Sequence, residues 1–170
     1  CTATDAVGNT GVCTFKVTVK DEEKPTIAPP SDITVSTNTG SCEAANVQLG
    51  TPSTADNCAG PLEVTNDAPA VFPKGETTVK WTVTDTSGNS ASATQKVTVN
   101  DTEKPSITAP VNVAVSTDPG SCAATNVDLG TPTTADNCAV AGVTNDAPAS
   151  FPKGMTTVIW TITDTSGNTA

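Results

Sequence analysis

The stretch TTVKWTVTDTSGNSASATQKVTVN at residues 77–100 begins with a strict alternation of apolar and polar side chains. Val79, Trp81 and Val83 fall on one face of an extended segment, and the residues between them fall on the other. This period of two is typical of a β-strand that is buried on one face. The turn sequence DTSGN at residues 85–89 lies between this strand and a second one, so the stretch predicts a hairpin.

The two strands of this hairpin are predicted to pair about a turn centred on Ser87. That register keeps the apolar residues mainly on one side of the sheet. It pairs Val79 with Gln95, Trp81 with Ala93 and Val83 with Ala91. The indole of the tryptophan therefore faces a small partner.

A partial copy of the hairpin opens the chain with CTATDAVGN at residues 1–9. In this copy Cys1 and Cys13 take the places of the tryptophan and of its alanine partner. Two cysteines that are directly opposed on paired strands have a separation that suits a disulfide. The inward face is expected to continue through Phe15, Val17 and Val19.

An internal repeat of about 80 residues divides the chain. Cys42 recurs as Cys122 at a spacing of 80 residues, and Trp81 recurs as Trp160 at a spacing of 79. We therefore predict three segments, which are the last hairpin of a preceding repeat at 1–20, a complete repeat at 21–100, and a repeat lacking its last strand at 101–170. The lost strand would leave a sheet edge exposed, so we expect the full-length protein to continue.

Each repeat is predicted to form six or seven short strands. In the middle repeat Ile33 and Val35 begin a first strand, a second runs from Cys42 to Leu49, and Leu62 and Val64 begin another. Gly, Pro and Asn separate these runs, and none shows the period of an amphipathic helix. The predicted fold class is all-β, an antiparallel β-sandwich with one tryptophan per intact hairpin.

Six cysteines are explained by three short-range pairs, Cys1 with Cys13, Cys42 with Cys58 and Cys122 with Cys138. A zinc site is the competing interpretation, but the chain has no Cys-x-x-Cys motif and no histidine. Disulfides form in oxidising compartments, which predicts an extracellular or cell-surface location. In the chain-entropy model a loop of roughly 15 residues contributes about 3 kcal/mol.

The chain carries 18 acidic and 8 basic residues and a formal net charge of −10. This charge opposes binding to nucleic acid or to an anionic membrane. No apolar run approaches the length of a membrane span. Nucleophilic catalysis needs a base beside a hydroxyl or thiol, and because histidine is absent and the cysteines are assigned to disulfides, we expect no enzyme activity.

A family resemblance follows from four short motifs. They are TATDAVGN ending at residue 9, DNC at 56–58, FPKG at 72–75 and DTEKP at 101–105. In this order they resemble the hyalin repeat, or HYR, domain, over the whole chain. The resemblance implies tandem immunoglobulin-like or fibronectin-III-like β-sandwiches in extracellular proteins linked to adhesion. Arrays this uniform are similar to the repeat stalks of large bacterial surface adhesins of the Bacteroidota type.

The immunoglobulin-like fold implied by this resemblance suggests that the carboxylates bind a cation. In an immunoglobulin-like sandwich the junction residues, the DNC loop and the hairpin turn meet at one end of the domain. Oxygen ligands there suit Ca²⁺, although Asp and Asn are also ordinary turn residues that bond their own backbone. The candidate ligands for one site are Asp21, Glu23, Asp56, Asn57, Asp85 and Asn89, and for the next they are Asp101, Glu103, Asp136, Asn137, Asp164 and Asn168.

Two functions fit these observations. The first is a non-catalytic stalk or filament segment of a repetitive surface adhesin, which acts as a rigid spacer. Its partners would be neighbouring repeats, like chains in a filament, or a surface ligand bound elsewhere in the protein. The second is an accessory module of a secreted enzyme or receptor that binds carbohydrate or protein. Such a module needs exposed aromatic residues, whereas the chain has no tyrosine and both tryptophans are predicted to be internal.

Overall fold

The computed structural model describes residues 1–170, and every regular element in it is a β-strand. Residues 1–20 contain one short hairpin, formed by β1 (Thr2–Thr4) and β2 (Thr10–Val12). Its strands are exposed. The structure has no helix that is long and apolar enough to cross a membrane.

The middle repeat contains eight strands. They are β3 (Thr26–Ala28), β4 (Ile33–Ser36), β5 (Glu43–Ala45), β6 (Ser53–Ala55), β7 (Glu63–Asn66), β8 (Val71–Pro73), β9 (Gly75–Thr84) and β10 (Ser90–Asn100). Strands β9 and β10 form the predicted hairpin with the predicted register, Val79 opposite Gln95, Trp81 opposite Ala93 and Val83 opposite Ala91. The alternation of side chains therefore placed this hairpin correctly.

The hairpin lies in the centre of a four-stranded sheet with the order β4-β10-β9-β7. Strands β9, β10 and β7 pair antiparallel, as predicted. Strand β4 pairs parallel with β10, from Ile33 opposite Val97 to Ser36 opposite Asn100, so the prediction of a purely antiparallel sandwich is wrong at this edge. The short strand β4 thus forms one edge of the sheet beside the last strand of the repeat, and β7 forms the other edge.

The core lies between this sheet and the two-stranded ribbon β5-β8. Phe72 and Ala44 on the ribbon pack against Val79, Trp81 and Val97 on the sheet, and all five are buried. The indole Nε1 of Trp81 donates a hydrogen bond of 3.1 Å to Oε1 of Gln95, whose side chain is also buried. A two-layer all-β sandwich is thus confirmed.

The predicted strand from Cys42 to Leu49 is shorter in the structure. Strand β5 ends at Ala45 because Asn46 adopts a φ of 58°, a left-handed conformation that Asn tolerates better than most residues and that breaks an extended run. Val47 and Leu49 still pack against the core. The apolar pattern therefore indicated the inward face correctly but did not indicate the turn between the two parts.

The last repeat contains six strands. They are β11 (Ser106–Thr108), β12 (Ala123–Thr125), β13 (Thr133–Ala135), β14 (Val140–Asn145), β15 (Ser150–Pro152) and β16 (Trp160–Asp164). They form three two-stranded sheets. The prediction that Trp160 is internal is only partly met, since its side chain is half-buried. Val113 and Val115, which correspond to Ile33 and Val35, are 48% and 56% exposed.

The apolar residues that follow the first hairpin are also exposed. Phe15 and Val17 are 76% and 74% exposed and Val19 is 91% exposed. The prediction of an inward face for these residues is therefore wrong for the 170-residue chain, because no second sheet lies against residues 13–20.

Candidate functional site at the inter-repeat junction

The middle and last repeats meet at a junction built from two sets of loops. We call the residues contributed by the middle repeat its distal face, which comprises Thr37, Gly40, Ser41, Cys42 and Lys74. We call the residues contributed by the last repeat its proximal face, which comprises Asp101, Glu103, Asn137, Cys138, Thr165 and Ser166. A disulfide, hydrogen bonds and one ion pair join the two faces.

The disulfide links Cys42 of the distal face to Cys138 of the proximal face. Their Cα atoms are 4.7 Å apart, within the range that a disulfide requires. The bond closes a loop with a sequence separation of 96 residues. In the chain-entropy model a loop of about 100 residues is worth about 4.7 kcal/mol. The covalent bond therefore connects two repeats rather than two strands of one repeat.

The predicted pairs Cys42 with Cys58 and Cys122 with Cys138 are wrong in this structure. Cys42 follows the turn at residues 38–41 and is bonded to the last repeat, whereas Cys58 lies beside Asp21, where the chain enters the middle repeat. The two cysteines of a repeat are thus at opposite ends of its sandwich. A short separation along the chain does not bring them together, because the chain between them forms β5 and β6 and passes from one end of the sandwich to the other.

Cys1 and Cys13 are directly opposed, as predicted for the first hairpin. The N–H of Cys13 donates to the carbonyl of Cys1 at 2.9 Å, and the terminal amine of Cys1 donates to the carbonyl of Cys13 at 3.0 Å. Both thiols are nevertheless free and exposed, so the predicted bond between them is not formed in this structure. Cys58 and Cys122 are likewise free and exposed.

Asn137 forms most of the side-chain hydrogen bonds around the disulfide. Its Nδ2 donates to the carbonyl of Ser41 at 2.8 Å and to Oδ1 of Asp101 at 3.3 Å. A longer contact of 3.5 Å reaches Oγ1 of Thr37. The asparagine of the DNC loop therefore holds the neighbouring repeat as well as its own.

Asp101 lies at the centre of the junction and is 6% exposed. Its Oδ2 accepts a hydrogen bond of 2.8 Å from the hydroxyl of Ser166 and lies 4.0 Å from Nζ of Lys74. Lys74 also donates to Ser166 Oγ at 2.6 Å and to Thr165 Oγ1 at 3.1 Å. A buried carboxylate of one repeat thus faces an ammonium group of the other, which compensates part of its charge.

Glu103 of the last repeat reaches across the junction to the middle repeat. Its Oε2 accepts a hydrogen bond of 2.8 Å from the backbone N–H of Gly40 in the turn of the middle repeat. Gly40 has a φ of 71°, and its N–H points outward from this turn. The carboxylate is therefore used for docking between repeats rather than for the cluster of carboxylates beside it.

Two clusters of three carboxylates each lie at the proximal ends of the repeats. In each cluster the candidate ligand atoms lie within 4.8 Å of one another. The clusters are Asp21 with Asp56 and Asp85, and Asp101 with Asp136 and Asp164. Oδ1 of Asp56 and Oδ1 of Asp136 are buried without a hydrogen-bond partner. Carboxylates this close repel one another, and their oxygens are the ligand type that Ca²⁺ takes, so the donor set fits this cation.

The structure brings together three of the six predicted ligands at each end. Glu23 donates its backbone N–H to Asp21, while Asn57 is exposed. Asn89 and its equivalent Asn168 use their amide Nδ2 groups to donate to the nearest carboxylate and to a junction carbonyl. Of the remaining predicted ligands, Glu103 contacts the preceding repeat, and Asn137 contacts both that repeat and Asp101 through Nδ2 while its Oδ1 is buried without a partner.

Asp85 and Asp164 hold the hairpin turns as well as belonging to the clusters. Oδ1 of Asp85 accepts hydrogen bonds of 2.8 Å from the N–H groups of Ser87 and Asn89. Burial raises the pKa of Asp85, but the hydrogen bonds from the side chain and backbone of Asn89 outweigh burial, so the pKa is lowered. Burial likewise raises the pKa of Asp164, but the hydrogen bonds from the side chain and backbone of Asn168 outweigh it, so this pKa is also lowered. Both side chains are therefore held as anions within their turns.

Cys58 lies beside the first cluster. A hydrogen bond between its thiol and Asp21 raises the pKa of Cys58, and desolvation and the charges of the three aspartates raise it further. The free thiol is therefore held in its neutral form.

Sequence reasoning missed Lys74 and the role of the turn at residues 38–41. A signal was present, because the basic residue of the FPKG motif recurs as Lys153 in the last repeat. A lysine that recurs at the end of a sandwich opposite an acidic junction indicates contact between successive repeats.

Comparison with known proteins identifies the family. The HYR domain model matches residues 20–99 and again 100–170. The chain is 36% identical over 99 residues to hyalin of Strongylocentrotus purpuratus and 35% identical over 96 residues to the rat sushi, von Willebrand factor type A, EGF and pentraxin domain-containing protein 1. These alignments cover 55% and 52% of this chain, but only 8% and 2% of the relatives.

HYR domains are extracellular, adhesion-related modules with an immunoglobulin-like β-sandwich fold, which confirms the predicted fold class and the predicted extracellular or cell-surface location. Two successive matches to one model also agree with a tandem array. Because the two matches together span most of the 170 residues, the chain belongs to the HYR domain family.

Proposed function

We propose that this chain is a non-catalytic spacer segment of a repetitive extracellular adhesin. The observation that carries the proposal is the Cys42–Cys138 disulfide, which joins the distal face of one repeat to the proximal face of the next. A stalk keeps a fixed length and direction only if every junction between its repeats is rigid. A covalent bond across the junction resists both bending and separation of the repeats.

The surrounding contacts support the same role. Glu103 docks on the turn of the middle repeat, Lys74 docks on the turn of the last repeat, and Asn137 reaches the carbonyl of Ser41. These bonds join different residues of the two faces, so a rotation that keeps one of them strains the others. The junction is therefore restrained in angle as well as in distance.

The length of each unit follows from its hairpin. Strands β9 and β10 contain 10 and 11 residues, which at roughly 3.3 Å per residue corresponds to about 33 to 36 Å. Two repeats joined end to end would thus measure on the order of 70 Å. The setting of a bacterial-type surface adhesin, with like chains or a ligand-binding tip as partners, is part of the proposal and rests on the uniformity of the repeats.

Small-angle X-ray scattering of the oxidised 170-residue chain tests the spacer role. We expect an elongated particle whose maximum dimension matches two sandwiches end to end. The matched control is the Cys42→Ser, Cys138→Ser double variant, which keeps both repeats but removes the link and is expected to show a broader distribution of distances. A compact, nearly spherical particle for the oxidised chain would contradict the proposal.

We further propose that Ca²⁺ binds at the proximal ends of the repeats and stiffens the array. The three-carboxylate clusters and the buried, unpartnered Oδ1 atoms of Asp56 and Asp136 support this. The two clusters differ, however, because Lys74 and the Ser166 hydroxyl already contact Asp101. The cluster of Asp21, Asp56 and Asp85 has no lysine within ion-pair distance and is the stronger candidate.

Calorimetric titration of Ca²⁺ into the chelator-treated chain tests this second part. Asp56→Asn should remove most of the heat, whereas Asp136→Asn should remove less, since Lys74 competes at the second cluster. The absence of heat at millimolar Ca²⁺ would leave the aspartates as turn-forming residues only. The spacer role would stand in that case, because it rests on the disulfide.

A further inference from the structure

The joined junction has an equivalent surface at each outer end of the two repeats. The distal face of the middle repeat recurs on the last repeat as Thr117, Gly120, Ser121, Cys122 and Lys153. The proximal face of the last repeat recurs on the middle repeat as Asp21, Glu23, Asn57, Cys58, Thr86 and Ser87. Only the internal pair of faces is in contact in this structure.

The backbone around Cys122 has the same bonding as the backbone around Cys42. The N–H of Lys74 donates to the carbonyl of Cys42 at 3.1 Å, and the N–H of Lys153 donates to the carbonyl of Cys122 at 2.9 Å. The turn that precedes each cysteine is closed in the same way, with Ser41 and Ser121 as donors at 2.9 and 3.0 Å. Cys122 is thus held in the position from which Cys42 forms its bond.

The backbone around Cys58 likewise matches that around Cys138. Oδ2 of Asp56 accepts a hydrogen bond of 3.2 Å from the N–H of Cys58, and Oδ2 of Asp136 accepts one of 2.9 Å from Cys138. Both DNC loops therefore present their cysteine in the same local conformation. The arrangement exists before any neighbour is bound, since Cys58 has no cysteine partner.

The two faces that are in contact differ in solvent exposure from the two outer faces. Ser41, Cys42 and Lys74 are half-buried at the junction, whereas their equivalents Ser121, Cys122 and Lys153 are exposed. On the proximal side Glu103, Asn137 and Cys138 are half-buried, and Glu23, Asn57 and Cys58 are exposed. The outer faces are therefore free copies of surfaces that bind each other at the centre of the molecule.

Charge complementarity indicates the occupant of the distal face of the last repeat. Lys153 corresponds to Lys74, which contacts a hairpin turn and lies 4.0 Å from a buried aspartate. The proximal face of every repeat carries that turn and that aspartate, together with a glutamate and a DNC loop. The complementary partner is thus the proximal face of another repeat of this sequence type.

We infer that Cys122 is the attachment site for the DNC-loop cysteine of a further repeat joined in register after residue 170, so that each junction of such an array is closed by its own disulfide. This inference goes beyond the spacer role, because it assigns the bonding pattern at junctions other than the one in the structure. By the same pattern Cys58 takes the cysteine of the distal face of a preceding repeat. The cysteines then link every repeat to both of its neighbours.

The bond forms by thiol–disulfide exchange. The thiols of Cys122 and of the incoming cysteine together lose two protons and two electrons and form one S–S bond. The oxidant is a low-molecular-weight disulfide, which accepts both electrons and both protons and leaves as two thiols. Oxidising compartments outside the cytosol supply such disulfides.

The test extends the 170-residue chain by a second copy of residues 92–170. Ala170 corresponds to Ala91, so the added segment continues the repeat in register, supplies the equivalent of the last strand and then repeats the native junction. The chain is oxidised with a glutathione buffer, denatured in acid and digested. We expect Cys122 to be linked to the added copy of Cys138, and the number of free thiols to stay at the four found in the unextended chain.

Two results would overturn the inference. The first is a free Cys122 beside a free added copy of Cys138, which raises the thiol count by two. The second is a disulfide in the digest that joins Cys122 to any cysteine other than the added copy of Cys138. The retained Cys42–Cys138 link in the same digest reports that the extended chain has folded. Cys122→Ser is the matched control and is expected to remove the new link alone.

Discussion

The middle and last repeats have closely similar sequences but differ in how completely they bury the same side chains. Trp81 is 5% exposed and Val79, Val97 and Val99 are almost fully buried, whereas Trp160 is half-buried. The middle repeat contains β10, which covers the tryptophan and pairs with both β9 and β4. The comparison shows that the last strand completes the sandwich, since it lies between β4 and β9 in the four-stranded sheet.

The hydrogen bonds of the core also depend on the last strand. In the middle repeat Gln95 accepts a hydrogen bond from the indole and donates to the carbonyls of Ser31 at 2.7 Å and Leu49 at 3.0 Å. One side chain on β10 thus hydrogen-bonds three groups that belong to three other parts of the repeat. The 170 residues place no equivalent side chain beside Trp160, and the indole stays partly exposed.

Adding the missing last strand to the last repeat should have the largest effect on the difference in burial between the two repeats. A chain extended by a copy of residues 92–100 is expected to bury Val113 and Val115 and to cover Trp160. Burial of a large apolar side chain is worth about 1.5 to 3 kcal/mol, so the added valines should raise the free energy of unfolding of the last repeat by roughly 3 to 6 kcal/mol.

Each repeat has one tryptophan, so denaturant unfolding followed by fluorescence in a Trp81→Phe background reports the last repeat alone. The control is an extension of equal length in which the residues copied from Val97 and Val99 are serine. An equal stability of the two extended chains would show that the strand does not fill the core.

Removing Gln95 should have the next largest effect, and on the middle repeat only. Gln95→Ala leaves the indole N–H and two carbonyls without their partner, and a buried polar group that loses its hydrogen bond costs about 1 to 3 kcal/mol. We expect a loss of about 2 to 4 kcal/mol, measured by urea unfolding in a Trp160→Phe background. Gln48, which is exposed, is the matched control, and Gln48→Ala should change stability by less than about 0.5 kcal/mol. Similar losses in both variants would refute the role given to Gln95.

Lys74 and Lys153 allow the joined and the free distal faces to be compared directly. Lys74→Ala removes the cation beside buried Asp101 and two hydrogen bonds to the turn of the last repeat. Because the lysine is partly exposed to solvent, we expect a loss of about 1 kcal/mol in the stability of the last repeat. Lys153→Ala should have an effect of less than about 0.5 kcal/mol, since Lys153 is exposed. Equal effects in thermal unfolding would mean that Lys74 does not hold the junction.

The smallest expected effect concerns the turn of the first hairpin, which repeats the Asp85 turn in an exposed setting. The side chain and then the backbone N–H of Asn9 donate hydrogen bonds that lower the pKa of Asp5. Asn9→Ala should therefore raise the pKa of Asp5 toward its ordinary value, as measured by carboxyl NMR titration. Val7→Ala keeps the backbone donor to Asp5 and should leave the pKa in place.

The sign of the pH effect follows from that direction. A carboxyl whose pKa is lowered by folding stabilises the folded turn at pH values above its unfolded pKa, and this contribution is lost as the pH falls through the folded value. The population of the Asp5 turn should thus decrease only in acid. An unchanged pKa in Asn9→Ala would assign the lowering to another donor.

The hairpin register was predictable from the sequence because it depends on local alternation, and Trp81, Ala93 and Gln95 lie where the pattern placed them. The strand from Cys42 was predicted too long, because the left-handed Asn46 leaves no apolar signal. The parallel pairing of β4 with β10 joins residues about 64 positions apart and has no local signature at all.

The predicted cysteine pairs were wrong for a related reason. Spacing along the chain favoured Cys42 with Cys58, but the fold places these residues at opposite ends of one sandwich, and the partner of Cys42 is 96 residues away. Of the predicted ligands, the aspartates converge because junction, loop and turn share one end. Glu103 does not join them, since it contacts a neighbouring repeat that local sequence does not specify, whereas the amide Nδ2 of Asn137 binds both that repeat and Asp101.

Disulfide mapping of the oxidised 170-residue chain tests the central claim most directly. Trypsin does not cleave before Pro25 or Pro105, so Cys42 and Cys58 share the peptide 21–74, and Cys122 and Cys138 share the peptide 97–153. A link between repeats joins the two peptides, and further cleavage at Glu43 and Asp136 identifies the cysteines. We expect 21–74 joined to 97–153 through Cys42 and Cys138. Two separate peptides, each closed by its own internal disulfide, would contradict a covalent junction between the repeats.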